Sequence, residues 1–200
     1  MSNVSMDQIK ELRQRSGAGI SSCKKALEET GGDLAKAIEY LQKKGLAKAK
    51  AKGKEAREGI VHAYIHPGGR VGVMVEVNCN TDFVARTEDF TDFAENVAMQ
   101  IAAMNPLWVD SETIPEDALA KQKEIFGEQA KASGKPEKVI EKIVEGKIRK
   151  WYSEVCLLSQ PYVQDDKQTI DDLRGALISK TGENIVVSRF VRYELGEKAE

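Results

Sequence analysis

The hydrophobic pattern changes its period once along the chain, and that change constrains the fold more than any other feature. Before Lys43 the apolar residues recur every three or four positions, as on one face of a helix. After Gly59 they alternate one by one, as in a half-buried strand. Between the two regimes runs KKGLAKAKAKGK, Lys43 to Lys54, with six lysines, no acid and almost nothing to bury. It reads as a tether, helical in part. The expected organisation is therefore a helical module over residues 1–42, a basic linker over 43–57 and a core over 58–198. At 200 residues and 41% apolar content the chain is long enough to bury a real core.

Punctuation divides the first module into three helices. Ser5 and Gln8 fit a capping box, with Val4 and Ile9 placed as a hydrophobic staple. Met6, Ile9 and Leu12 then form the inner face of the first helix, which ends at Ser16-Gly17-Ala18-Gly19. Ser21 or Ser22 is the expected cap of the second, with Cys23, Ala26 and Leu27 facing inward. Gly31-Gly32 ends it. Asp33 caps a third helix carrying Leu34, Ala37, Ile38 and Leu41.

The core opens with a β-hairpin: Gly59 to Ile65, a His66-Pro67-Gly68-Gly69 turn, then Arg70 to Asn78. Val71, Val73, Val75 and Val77 share the face expected to pack on helices. A loop from Cys79 to Arg86 leads to a helix capped by Thr87, with Glu88 and Asp89 in its first turn. Its apolar stripe is Phe90, Phe93, Ala94, Val97, Ala98 and Ile101, and Asn105-Pro106 ends it. Two helical stretches, each opened by a proline at its first position, are expected as an antiparallel hairpin within 115–156. The second carries a seam from Val139 to Val155. A short extended piece at 160–163, a helix over 170–180 capped by Thr169 and a strand over 185–195 complete an α+β fold on a small antiparallel sheet.

Composition and motifs exclude several functions. Thirty Lys and Arg almost cancel 32 Asp and Glu, for a net charge of −2, so bulk electrostatics favours neither nucleic acid nor an anionic membrane. No window approaches the ~20 apolar residues of a membrane helix, and the polar N-terminus lacks a signal-peptide core, so a cytoplasmic protein is expected. Three cysteines without CxxC spacing argue against a disulfide framework or a zinc site. His62 and His66 fall in a strand and its turn, where a separation of four does not bring both to one ion. Glycine-rich phosphate loops, nucleophile elbows and paired acids are missing from the sequence. The expectation is a protein with no catalytic residues, no cofactor and no nucleotide of its own.

Two segments want a role beyond folding: the glycine-flanked turn at Ser16 to Ile20, and Asn80-Thr81-Asp82-Phe83, which sets an aromatic beside an acid. The first also reads simply as a helix connector. Phe83 has two readings on physics alone, a core side chain tucked under the next helix or a contact residue leaving the loop.

At these segments the sequence resembles a known family. LRQRSGAGISSCKKALEETGGD, Leu12 to Asp33, and VEVNCNTDFVAR, Val75 to Arg86, look like the two signatures of the elongation factor Ts family, nucleotide-exchange factors of elongation factor Tu. The likeness continues through SGKPEKVIEKIVEGKIRKWYSEVCLLSQPYV and GENIVVSRFVRYELG. It implies a ubiquitin-associated-like three-helix module, a tether and a core that grips two faces of the GTPase. Thr81, Asp82, Phe83 and Val84 would push in near the partner's magnesium site. Arg13, with Gly17, Gly19 and Ile20, would belong to the separate docking of the N-terminal module. Many relatives carry two methionines where this chain has Ile20 and Ser21, so the apolar part of that contact differs here. Longer members duplicate the core and this chain has room for one, which makes a homodimer the expectation. The competing reading is an RNA-binding protein using the lysine tether and the helical module, weakened by the lack of interleaved aromatics.

Overall fold

The computed structural model describes residues 4–16, 18–51, 56–132 and 136–197. The first three helices are α1 (Met6–Ser16), α2 (Ile20–Glu29) and α3 (Leu34–Ala51). The capping box at the start of α1 is reciprocal: the Ser5 amide donates to Gln8 Oε1 at 3.0 Å and the Gln8 amide to Ser5 Oγ at 3.2 Å. Ile9 and Leu12 are buried, but Met6 points outward and leaves the inner face. Helix α2 begins earlier than expected. Gly19 is its N-cap without any side-chain bond, so Ser21 and Ser22 lie inside the helix rather than capping it.

The end of α2 explains the paired glycines. Gly31 and Gly32 take φ of +67° and +88°, and the Gly32 amide turns back to the Leu27 carbonyl at 2.8 Å. This left-handed exit closes the last turn at a conformation that side chains resist. Asp33 Oδ1 then accepts the Lys36 amide at 3.1 Å, and that bond lowers the Asp33 pKa. Cys23, Ala26, Leu27, Ala37 and Leu41 join Ile9 and Leu12 in one small core, with Val4, Leu34 and Ile38 packed on it. Helix α3 runs on to Ala51, so the expected linker begins as helix; its residues 52–55 lie outside the described residues.

Strands β1 (Glu58–Ile65), β2 (Val71–Cys79) and β5 (Val186–Glu194) form one sheet in the order β1-β2-β5. In β2 the valines at 73, 75 and 77 are buried together with Cys79, while Met74 is exposed, the alternation a one-sided sheet requires. A one-turn helix α4 (Asp82–Ala85) and the long α5 (Glu88–Met104) follow. Every residue of the expected α5 stripe, Phe90 through Ile101, is buried. Asn105, at φ +44°, closes that helix. Thr87 does not cap α5 with its side chain in the expected manner: its hydroxyl donates back to the Val84 carbonyl at 2.8 Å.

The chain divides into two compact units, one of residues 1–64, 74–98 and 171–191, the other of 65–73, 99–170 and 192–200. In the second unit α6 (Glu116–Lys131) and α7 (Glu137–Val155) pack as a pair, with Lys147 Nζ reaching Gln129 Oε1 at 2.7 Å and standing over the Phe126 ring. Their prolines stand one place earlier than expected, as N-caps with extended ψ rather than as first helical residues. The α7 seam is only half covered, for between Val139 and Val155 Ile148 alone is buried, and Val139 is exposed.

After a 3₁₀ turn (Leu157–Ser159) come β3 (Pro161–Tyr162), within the extended piece expected at 160–163, and its partner β4 (Asp165–Thr169), absent from the sequence reading because DDKQT carries no apolar alternation. Fully buried Gln100 holds this corner: its amide nitrogen donates to Gln160 Oε1 and to the Pro161 carbonyl, both at 3.1 Å, and its oxygen accepts the Val163 amide at 2.9 Å. Gln160 in turn donates to the Glu154 carbonyl at 2.9 Å, so both buried amides are satisfied. Helix α8 (Ile170–Thr181) returns to the first unit and leads to β5.

Candidate functional site

The segment between β2 and α5 is the most unusual surface of the first unit. Thr81 is the N-cap of α4, its hydroxyl accepting the Val84 amide at 3.4 Å. The expected loop is therefore one turn of helix, and the turn sorts its side chains. Ala85 is buried and Val84 half-buried, which fastens the inner side. Phe83, on the outer side, is 80% exposed, so its reading as a core residue is overturned. Asp82 lies one turn from Arg86, and their side chains pair at 3.0 Å across the surface. The turn thus holds a large apolar ring in water, flanked by an acid and an arginine.

A residue that sequence reasoning missed holds this turn. Glu183 Oε2 accepts the amides of Asn80 and Thr81, both at 3.1 Å, and its Oε1 accepts the Thr81 hydroxyl at 2.7 Å. The Asn184 amide donates to Asn80 Oδ1 at 2.8 Å. Beneath, the Cys79 thiol donates to the Thr81 carbonyl at 3.1 Å. Burial raises the Cys79 pKa, and the Glu183 carboxylate adds to the effect. The only sequence signal for Glu183 was its place in GENIVV, an acid directly after the glycine that ends a helix.

The N-terminal candidates are separate from this turn in the chain. Arg13 lies on α1, Gly19 is the N-cap of α2 and Ile20 is in its first turn; all three are exposed. Gly17 lies outside the described residues. Nearby, Ser16 Oγ donates to the Leu12 carbonyl at 2.7 Å and accepts the Ala18 amide at 3.3 Å, which ties the α1–α2 connection to α1. Among the described residues no group of three His, Cys, Asp or Glu side chains is arranged to hold a metal, and no helix is long and apolar enough to cross a membrane. His62 and His66 form no such group.

Fold and site together define an α+β protein that presents an aromatic side chain on a clamped turn. The family model described as elongation factor TS matches residues 5–197. The chain is 58% identical to elongation factor Ts of Moorella thermoacetica, covering 97% of this chain and 96% of that protein. It is 55% identical to the elongation factor Ts of Thermotoga petrophila, with 97% of each covered, and 53% identical to that of Solidesulfovibrio magneticus over the full length of both. The chain belongs to the elongation factor Ts family, and its role lies in translation elongation.

Proposed function

We propose that this protein drives GDP from elongation factor Tu without any chemistry of its own, by binding the empty GTPase more tightly than the loaded one. The observation that carries the reading is Phe83, an aromatic side chain 80% exposed on a turn tied down at both ends. An aromatic ring held out in this way gains its burial only when a partner covers it, and aromatic side chains are the usual anchors of such contacts. Thr81, Asp82, Phe83 and Val84 form the wedge that disturbs the partner's magnesium and phosphate site. Phe83 and Asp82 make the contact, and Thr81 and Val84 shape the turn. Arg13, Gly17, Gly19 and Ile20 supply a second anchor on the N-terminal module, residues 1–42, which the segment 43–57 joins to the core over 58–198. Ile20, at 53% exposed, provides the apolar part of that anchor.

Linkage sets the requirement: nucleotide and factor weaken one another by the same ratio. Titration of the chain against elongation factor Tu, nucleotide-free and GDP-loaded, tests this, with markedly tighter binding expected for the empty form. Equal affinities would overturn the proposal. The protein is further proposed to act as a cytoplasmic homodimer. Exposed Val61, Met74 and Val191, one from each strand of the main sheet, line a shared shallow recess, an apolar surface suited to a second copy. Light scattering at tens of micromolar that gave a single-chain mass of 22.1 kDa would contradict it.

A further inference from the structure

We infer that Glu183 is a positioning residue for nucleotide exchange, holding the Thr81–Val84 turn in its binding conformation before any partner arrives; the inference rests on the wedge reading above. Four residues of helix cannot sustain themselves, because the first turn fixes several backbone angles for a single hydrogen bond. The order of this turn must come from outside it. The Glu183 carboxylate reaches it from 102 residues along the chain and gathers two backbone amides and a hydroxyl with its two oxygens.

The hydroxyl bond has a directional consequence. Because Thr81 Oγ1 sends its proton to Glu183, its lone pairs are left for the Val84 amide, the bond that caps the turn. One carboxylate thus both anchors the strand end and sets the cap. Glu183 is itself fixed: Gly182 closes α8 at φ +70°, and the Glu183 amide donates to Thr181 Oγ1 at 3.3 Å. The neighbouring Asn184 amide seizes Asn80 Oδ1, so the α8–β5 corner grips the turn through two consecutive residues.

Without the clamp, Asp82 and Phe83 sit on a turn that must be ordered during binding, and that cost is subtracted from the contact. The loss falls on the step in which the wedge displaces nucleotide, since the N-terminal anchor is untouched. Three variants, Glu183→Ala, Glu183→Gln and Glu183→Asp, are compared with wild type and Phe83→Ala. The readouts are amide hydrogen exchange of the free protein and release of labelled GDP from elongation factor Tu over a range of factor concentrations.

In Glu183→Ala the amides of Asn80, Thr81 and Val84 should exchange at least tenfold faster, with the buried face of α5 unchanged. The maximal release rate should fall about tenfold, the equivalent of about 1.4 kcal/mol, while the half-saturating concentration moves less than twofold. Glu183→Gln keeps an oxygen for the two amides and should recover most of the rate; Glu183→Asp, one methylene too short, should not. Unchanged protection at these three amides overturns the inference, as does release that falls only in step with melting temperature in all three variants. Full activity in Glu183→Ala, with release still impaired in Phe83→Ala, removes the clamp alone. Unimpaired release in Phe83→Ala removes the wedge reading beneath it.

Discussion

Truncating Phe83 separates stability from function, because the ring contributes to one only when exposed and to the other only when covered. A fully buried phenylalanine cut to alanine costs about 3–5 kcal/mol of stability. At 80% exposure roughly a fifth of that burial exists, so Phe83→Ala should cost under about 1 kcal/mol. For a domain of this size that moves the melting temperature by at most about 2–4 °C. Seating the ring on a partner, in contrast, removes well over 100 Å² of apolar surface from water, worth about 2–3 kcal/mol. If that energy is realised as GDP leaves, release should slow by about 30- to 150-fold. Stopped-flow fluorescence of labelled GDP bound to elongation factor Tu reads the rate, and circular dichroism reads the melt. A folded variant with full exchange activity refutes the reasoning; so does a fall in melting temperature above about 10 °C, which would place the ring in a core.

Arg86→Ala breaks an exposed ion pair with Asp82 and should change stability by less than about 0.5 kcal/mol in a denaturant titration. Ser5→Ala removes half of the capping box and should loosen α1 by about 1 kcal/mol, visible as faster amide exchange confined to its first turn. Arg13→Ala should weaken the complex with elongation factor Tu while leaving exchange measurable at saturation, and unchanged affinity in calorimetry would deny the N-terminal module its anchoring role. Burial pushes the Cys156 thiol up to about 11, so the folded form holds its proton where the unfolded chain has lost it. Stability from this site is therefore complete below the ordinary thiol range and declines as pH climbs toward 11; in Cys156→Ala the slope of stability against pH between 9 and 11 should flatten.

Elements with a strong period were legible in the sequence. Val73, Val75 and Val77 of β2 and the α5 stripe are buried as the spacing required, with Val71 only half-buried at the strand's start, and the Ser5–Gln8 box and the Gly31-Gly32 exit follow from local rules that need no tertiary partner. Where the outcome depended on distant residues, the sequence was silent. Period alone could not choose between a covered and an exposed Phe83, since the choice rests on a turn organised by Glu183 from a hundred residues away. The start of α2 moved because Gly19 can cap without a side chain, so neither serine was needed. Strand β4 and its pairing with β3 escaped notice because that corner is held by the buried Gln100 and Gln160 amides rather than by alternation. Helix α3 outran its expected end because alanine and lysine, which dominate its last turns, favour helix.

The most direct measurement is the rate of labelled GDP release from purified elongation factor Tu, with magnesium present, as this chain is added. The account predicts a rate that rises with factor concentration to a plateau far above the spontaneous one. It also predicts a smaller relative gain once magnesium has been chelated, because a wedge acting through the ion has less left to disturb. Release that stays at its spontaneous rate under saturating folded protein would contradict the account at its centre.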